Sequence, residues 1–413
     1  DDDDATDDDS VTPPPCGPVI EPLVEGRVIS DADLATLVDG SVAIVWTEYD
    51  DFSARVVAMV CPADGSDVHG PVDVGEGEAE PVNASDAVAA AMPGGGFVVA
   101  YFAEKISDSS RSVQARWFDA FAQPASDVVP VREGGVDPSV AVNPATGSAL
   151  IAWVEEQEFE FGLELEIVGR LYDSSGAPET GAFSVSHDGI WNEWAPKIAA
   201  ADDEFVVTWY GDPLPETGKG VRNHSRYRDL PPDPTAIWAA VVDGTGYTQV
   251  GPSELDIGYG AYPDITSLGA DYVFAWKDSS VAYAGLYSAQ LTPLWNDARV
   301  LDDSFESNGP SRVVALDPDA FLAVWSTLSH DPPDDDESHT LEAAVWSRDG
   351  GPLSEFHVAG DSDTILGVSF EVTPFDVDGA LVAARTFDEV SETHQLTLIH
   401  CVWDDEPGCN PEL

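Results

Sequence analysis

One segment of the chain gathers groups that could bind an anion. Tyr210–Thr235 contains three arginines, a histidine and a tyrosine within a few residues: Arg222, His224, Arg226, Tyr227 and Arg228. Guanidinium groups bind carboxylates and sulfates through paired hydrogen bonds, and a tyrosine ring can stack on a ligand. The segment therefore predicts a contact with an anion or a partner. The alternative is that its cations only neutralise carboxylates of the same protein.

Aromatic residues precede two of the expected strands: Trp191, Trp194, Tyr259 and Tyr262. Aromatic rings with polar neighbours suit sugars, which present apolar faces and hydroxyl groups. We expect these aromatics to share a face with the basic segment and to contribute to a binding surface. The alternative for each ring is a place in the core, and Trp194, directly before a strand, is the clearest case.

No metal site or catalytic motif stands out. The segment Ser326–Thr340 holds carboxylates and two histidines that could ligate Ca²⁺, but it lacks the glycine at the sixth position of an EF-hand loop. A solvated acidic loop is the expectation, so we expect no cofactor and keep calcium as the alternative. Cys-x-x-Cys pairs are absent, which argues against zinc. Nucleophile-elbow, His-Glu-x-x-His and phosphate-loop motifs are absent too.

The charge of the chain excludes several classes of partner. Its 413 residues include 17 Lys and Arg against 77 Asp and Glu, a formal net charge of −60. Nucleic-acid readers need cations that neutralise phosphates, and anionic membrane surfaces attract basic segments, so neither partner is expected. With 43% hydrophobic residues and 12 tryptophans, the chain can nevertheless bury a large core. No apolar run is long enough for a membrane-spanning helix.

The elements that position these residues repeat along the chain. An apolar run ending in an aromatic recurs about every 56 residues, at Trp46, Tyr101, Trp153, Trp209, Trp276 and Trp325, with Arg385 at the seventh place. Around it lie four short apolar segments separated by Gly and Asp turns. Four strands repeated seven times predict an all-β, seven-bladed β-propeller with four antiparallel strands per blade. Continuous apolar runs fit blades buried on both faces, with the tryptophans packed between them.

The two ends of the repeat predict how the ring closes. The last unit stops after its third strand, near Trp403. Gly17–Gly26 reads GPVIEPLVEG and is similar to the fourth-strand string at Gly350–Gly360. The N-terminal segment should therefore supply the outer strand of the last blade, which removes a free sheet edge. Residues 16–413 are expected to form this single domain.

The unit from Gly169 to Trp209 resembles a repeat of secreted bacterial proteins. In that repeat a strand, Tyr-Asp-x-x-Gly, a second strand, a polar turn, a proline and Gly-Phe-Val-Val-x-Trp follow one another. The resemblance extends from Gly17 to Trp403 and implies an exported or cell-surface propeller. It carries over no active site, because its glycines and tryptophans determine the fold.

The N-terminus and the cysteines also indicate export. Residues 1–15 begin with an aspartate-rich run and should be a disordered tether, similar to the one that follows the lipid-modified cysteine of bacterial lipoproteins. A solubilising tail on a secreted protein is the alternative. The four cysteines (Cys16, Cys61, Cys401 and Cys409) suggest two disulfides. We prefer Cys401–Cys409 with Cys16–Cys61, and Cys16–Cys409 is the main rival.

These features favour an exported, non-enzymatic binding or scaffold protein at the bacterial cell surface, which engages a partner protein or a glycan with its loops. The competing hypothesis is a secreted carbohydrate-active enzyme. It would be a polysaccharide lyase that uses Arg222, His224 and Tyr227, or a glycoside hydrolase with an acid pair from the loops. A structural subunit of a larger envelope assembly is a third reading.

Two disulfides would leave no free cysteine. Thiol titration of the denatured, unreduced protein is therefore expected to detect essentially no thiol. Detection of two or more thiols per chain would contradict the two-disulfide prediction.

Overall fold

The computed structural model describes residues 19–20, 27–50, 53–63, 66–76, 82–159, 162–186, 191–213, 236–255, 260–278, 281–302, 307–331, 336–359, 365–375, 379–388, 393–402 and 408–410. These residues form seven antiparallel sheets, and the first strands of successive sheets contact one another in a ring. The first strands therefore surround a central channel, and the fourth strands lie outermost. The predicted seven-bladed β-propeller is confirmed.

The first four blades are regular four-stranded meanders, numbered from the channel outward. Blade 1 contains β2 (Val28–Thr36), β3 (Val42–Tyr49), β4 (Ala54–Cys61) and β5 (His69–Asp73). Blade 2 contains β6 (Val82–Ala91), β7 (Phe97–Lys105), β8 (Arg111–Phe118) and β9 (Val129–Glu133). Blade 3 contains β10 (Val136–Val142), β11 (Ala149–Phe159), β12 (Gly162–Tyr172) and β13 (Phe183–Ser184). Blade 4 contains β14 (Trp191–Ala201), β15 (Glu204–Pro213), β16 (Ala236–Asp243) and β17 (Thr248–Glu254).

The remaining blades complete the ring, and the last one draws strands from both ends of the chain. Blade 5 contains β18 (Ala261–Leu268), β19 (Asp271–Asp278), β20 (Val281–Ser288) and β21 (Arg299–Asp302). Blade 6 contains β22 (Ser307–Asp317), β23 (Ala320–Asp331), β24 (Asp336–Ser347) and β25 (Pro352–Ala359). Blade 7 contains β26 (Ile365–Pro374), β27 (Gly379–Asp388) and β28 (Thr393–Val402), with β1 (Val19–Ile20) and β29 (Gly408–Asn410) outermost.

The second strands carry the core because both of their faces are covered by neighbouring blades. In β3 the seven residues from Val42 to Glu48 are all buried, which explains the continuous apolar runs of the sequence. Trp46, Trp153 and Trp209 are 0% exposed, and each belongs to a core cluster that spans adjacent blades. The predicted packing role of the repeated aromatic position is confirmed.

The Tyr-Asp-x-x-Gly string is explained by the turn that follows the third strand. In blade 3 the Oδ1 atom of Asp173 accepts hydrogen bonds from the backbone N–H groups of Ser175, at 2.8 Å, and Ala177, at 3.0 Å. Gly176 then adopts φ +86°, and a Cβ atom there would lie 2.9 Å from the ring of Trp117 in blade 2. The glycine is therefore required both by the turn and by the approach of the neighbouring blade.

The N-terminal strand closes the ring as predicted, but it does not do so alone. In β1, Val19 lies opposite Thr397 and Ile20 opposite Leu396, whereas β29 pairs with residues 400–402 of the same strand. The outer edge of β28 is thus shared between the two ends of the chain.

Cys401 lies opposite Cys409 in this pairing, and the described residues contain no free cysteine. The cysteine pairing stays a prediction, because Cys16 lies outside the described residues.

Strand direction divides the connections between two ends of the propeller. Connections between second and third strands emerge with those that join one blade to the next, and we call this end the loop face. Connections between first and second strands and between third and fourth strands form the opposite end, the turn face. In blade 3, β11 and β12 form an extended hairpin, because Ala149–Phe159 pairs without a break with Gly162–Tyr172. It projects from the loop face.

Within the described residues there is no helix of the length and apolar character needed to cross a membrane.

Replacement of Ile20 by alanine tests the closure. Ile20 is 7% exposed in a core cluster with Leu396 and Leu398, so its loss should lower the free energy of unfolding by about 2–4 kcal/mol. Val19, its neighbour in the same strand, is 40% exposed, and Val19→Ala should change stability by about 0.5 kcal/mol or less. Denaturant unfolding measures both. Equal, small effects would contradict closure by β1.

Candidate binding site

Most of the residues singled out from the sequence lie outside the described structure. Arg222, His224, Arg226, Tyr227 and Arg228 belong to residues 214–235, and Tyr259 belongs to residues 256–259. Trp191 begins β14, but its side chain is not among those described. Their binding roles stay predictions. The backbone does place residues 213 and 236, which flank the basic segment, at the loop face.

The two described aromatics of the set lie together at the junction of blades 4 and 5. Tyr210 stands between them, with its ring centroid 5.8 Å from that of Trp194 and 5.9 Å from that of Tyr262. Trp194 and Tyr210 are buried, whereas Tyr262 is partly exposed. Trp194 therefore packs in the core, the alternative raised for it above, and Tyr262 is the member of the trio that can meet a ligand.

Tyr262 lies in an irregularity that recurs in the first strands. All seven first strands are interrupted by a bulge or irregularity in their loop-face half, where pairing with the second strand shifts. At five of these positions one residue takes a left-handed backbone conformation, with φ between 40° and 54°: Asp31, Asp86, Asp137, Ala195 and Tyr262. Non-glycine residues hold such conformations at a cost, and bulges and strain concentrate at functional sites. We call these five residues the bulge ring.

Charged side chains line the channel beyond the bulge ring. Arg312 Nε lies 2.8 Å from Glu371 Oε2, and Lys197 Nζ lies 3.9 Å from Glu371 Oε1. Blades 4 and 7 are three positions apart in the ring, so the pair of Lys197 and Glu371 reaches across the channel. With Asp33 and Asp264 these residues form a charged cluster in which a ligand or water would meet both signs of charge.

The carboxylates of the channel also join neighbouring blades. Asp33 Oδ2 accepts a hydrogen bond from Ala89 N at 2.7 Å, and Asp264 Oδ2 accepts one from Val313 N at 2.9 Å. Asp137 Oδ2 accepts one from Ala195 N at 2.8 Å. Each bond caps a backbone N–H on the inner edge of the next blade, where no further strand can pair. These carboxylates therefore have a structural role whatever else they do.

Burial and neighbouring charge shift the acidity of this cluster. Burial, reinforced by the negative charge of Glu371, raises the pKa of Asp33 to about 7. Burial also raises the pKa of Asp137 and of Asp264, although Arg312 opposes the shift at Asp264. Burial alone would lower the pKa of Arg312, but Glu371 and Asp264 raise it, so the guanidinium stays charged. At neutral pH Asp33 therefore exists in both protonation states.

A second set of buried carboxylates serves the core. Glu48 accepts the indole N–H of Trp46 at 3.1 Å, and Glu193 accepts that of Trp209 at 3.1 Å. Arg55 lies 2.7 Å from the other oxygen of Glu48. These groups satisfy buried donors and neutralise one another. They explain part of the acidic composition without forming a site.

The described residues contain no group of three or more His, Cys, Asp or Glu that could hold a metal ion. The calcium alternative rested on Ser326–Thr340. Residues 332–335 of that segment lie outside the described structure, as do the side chains of 328–339. The expectations of no cofactor and of calcium therefore both stay predictions.

Comparisons with known proteins identify the fold and no family. No protein-family model matches the chain, and no curated protein matches it in sequence. Similar solved structures include a lectin from Burkholderia pseudomallei, with 12% identity, a TM-score of 0.56 and coverage of 92% of this chain and 97% of the lectin. An ulvan lyase of polysaccharide lyase family PL25 has 10% identity, a TM-score of 0.55 and coverage of 93% and 95%.

A third similar structure is the GH93 α-L-arabinofuranosidase of Fusarium graminearum in complex with arabinobiose. It has 10% identity, a TM-score of 0.51 and coverage of 78% of this chain and 97% of the enzyme. At such identities the likeness establishes the propeller fold and does not transfer a site.

The raised pKa of Asp33 predicts a specific dependence of stability on pH. Between about pH 4 and pH 7 the folded protein binds more protons at Asp33 than the unfolded chain does, so this group lowers the free energy of unfolding as pH rises through that window. Asp33→Asn should remove that part of the slope. Urea unfolding of both proteins at several pH values measures it.

Asp173→Asn is the control for this experiment. The hydrogen bond from Ser175 lowers the pKa of Asp173, so its contribution to stability is lost only as pH falls below about 4. Parallel stability curves for the wild type and Asp33→Asn from pH 4 to pH 7 would show that the pKa of Asp33 is not raised.

Proposed function

We propose that the protein is a non-enzymatic carbohydrate-binding propeller whose ligand occupies the loop-face mouth of the central channel. The observation that supports this proposal is the bulge ring, whose members Asp31, Asp86, Asp137 and Tyr262 belong to the first strands that surround the channel. Carboxylates accept hydrogen bonds from sugar hydroxyls, and a tyrosine ring packs on the apolar face of a sugar. The lectin, lyase and glycosidase with the same fold support the proposal by analogy only.

The charge of the channel narrows the ligand class. Among the described residues, the cations that face Asp33, Asp137, Asp264 and Glu371 are Lys197 and Arg312, and both lie close to Glu371. A glycan rich in uronate or sulfate would meet repulsion from this channel and from a chain of net charge −60. We therefore expect a neutral or amino-bearing saccharide.

We place this activity outside the cell. The resemblance to secreted bacterial repeat proteins supports export, and the aspartate-rich N-terminus supports a lipid anchor that precedes residue 1. In such a setting the basic segment around Arg222 and Arg226 would contact a partner protein of the envelope.

A glycoside hydrolase is the second candidate, because one pair of carboxyl groups has the electrostatics that this reaction needs. Asp33 has a raised pKa, and the charge of Glu371 is one cause of the shift. Hydrolases of this kind use one protonated and one ionised carboxyl group on either side of the scissile bond. Against this reading, Asp33 already accepts hydrogen bonds from Leu34 N and Ala89 N.

Binding is tested on a glycan microarray with the full chain, followed by calorimetry with the best neutral ligand. Tyr262→Asn removes the ring while an asparagine tolerates the left-handed backbone, and Asp86→Asn removes an exposed carboxylate of the bulge ring. Each should weaken binding on the order of tenfold, or about 1.4 kcal/mol. Tyr262→Phe keeps the ring and should bind nearly as tightly as the wild type.

The same ligands distinguish the carbohydrate-binding role from the glycoside hydrolase. Release of new reducing ends by the wild type, lost in both Asp33→Asn and Glu371→Gln proteins that still melt cooperatively, would establish the hydrolase. Binding without cleavage supports the lectin-like role. If no saccharide is bound or cleaved, or if Tyr262→Asn binds like the wild type, the proposed site is wrong.

A further inference from the structure

The turn face carries exposed apolar side chains in five of the seven blades. Val38, Phe121, Tyr247 and Leu294 lie in its connections, and Leu353 lies near the start of β25; their exposed fractions range from 47% to 69%. On the loop face, the described connections contribute only Ile106 to the exposed large apolar residues. Isolated exposed apolar residues are ordinary, but their collection on one end of a molecule indicates an interaction surface.

A cleft of about 410 Å³ opens on the same face between blades 2 and 3. The connection Met92–Gly95 forms one wall, and Phe118, Asp119 and Gly147 contribute to the others. Trp117 lies in the lining as well. The lining of the cleft is therefore mainly apolar.

Fixed negative charge borders this cleft. Asp119 Oδ1 accepts hydrogen bonds from Phe121 N and Gln123 N, both at 2.9 Å, and Asp173 is held in the equivalent turn of blade 3. The pKa of Asp173 is lowered by the hydrogen bond from Ser175, so its carboxyl group stays ionised at neutral pH. In both turns the bonds go to Oδ1, and no described residue donates to Oδ2. Two carboxylates thus present a free oxygen beside the apolar cleft.

We propose that the turn face docks a basic protein segment, which inserts an aliphatic side chain into the cleft between blades 2 and 3 and places lysine or arginine beside Asp119 and Asp173. The negative charge of the protein determines which partner can bind the turn face. A second copy of a chain with net charge −60 would be repelled, as would an anionic membrane or a polyanion. A segment with only cations would leave the apolar cleft empty, so both features are required.

The probe is a short fluorescein-labelled peptide of alternating lysine and leucine, titrated with the full chain in fluorescence anisotropy. A peptide with glutamine in place of leucine and one with glutamate in place of lysine are the peptide controls. We expect the lysine–leucine peptide to bind at least on the order of tenfold more tightly than either control. Added salt should weaken the complex.

Two matched glycine substitutions test whether the peptide binds in the cleft. An added Cβ at Gly94, in the wall of the cleft, or at Gly251, on the outer strand of blade 4, meets no atom within 4 Å, and neither glycine has a positive φ. Both tryptophan variants should therefore fold. Gly94→Trp fills the cleft and should reduce affinity on the order of tenfold, whereas Gly251→Trp should leave it unchanged.

Several results would overturn the proposal. The lysine–leucine peptide could fail to bind, the lysine–glutamine peptide could bind as tightly, or Gly94→Trp and Gly251→Trp could behave alike. Any of these would reduce the effect to the general attraction of a polyanionic protein for cations. Sedimentation that showed dimers of the free protein, dissociated by Gly94→Trp, would replace the basic partner by a second copy of the chain.

Discussion

Each blade of this propeller has two apolar faces, and neither can be buried without a neighbour on that side. This constraint makes the closed ring the stable unit. The tryptophans at 46, 153 and 209 occupy the spaces between blades and are inaccessible to solvent. Because the last blade must also be covered and completed, the two ends of the chain meet on β28. The rest of the architecture follows from this mutual burial.

Closing the ring creates a second problem at its centre. The first strands have no further strand on their inner edge, so their backbone donors need other partners. Asp33, Asp137 and Asp264 meet this need by accepting hydrogen bonds from the following blade. The channel charges are therefore partly a by-product of ring formation. A binding function for the channel therefore depends on Tyr262 and on the exposed members of the bulge ring as well as on these charges.

The sequence predicted the architecture because a repeated pattern can be recognised without any knowledge of the tertiary contacts. The apolar runs, the recurring aromatic and the string GPVIEPLVEG together indicated seven blades and closure by the N-terminal strand. The three residues of β29 carried no such signal, since so short a strand is defined only by its partner β28.

The channel escaped prediction for a different reason. Asp264 and Lys197 look like ordinary polar positions of an alternating strand, and their assembly depends on blades far apart in the chain. Alignment of the repeats on the prolines at 196 and 263 would have shown that a charged residue follows each of them. The sequence pointed instead to the basic segment, because its charge contrasts with that of the rest of the chain. Such a contrast does not indicate where a segment lies in the fold.

The shared outer strand of blade 7 has a consequence for biosynthesis. Ile20 pairs with Leu396, so β1 leaves the ribosome well before its partner, with 375 residues between the two. Contacts between residues so distant in sequence form slowly, because a long loop must close before they yield any stabilisation. Until then each completed blade stacks on the previous one with an open apolar face at the growing end. While β1 is unpaired, this open apolar face and the free edge of β28 expose the incomplete ring to aggregation.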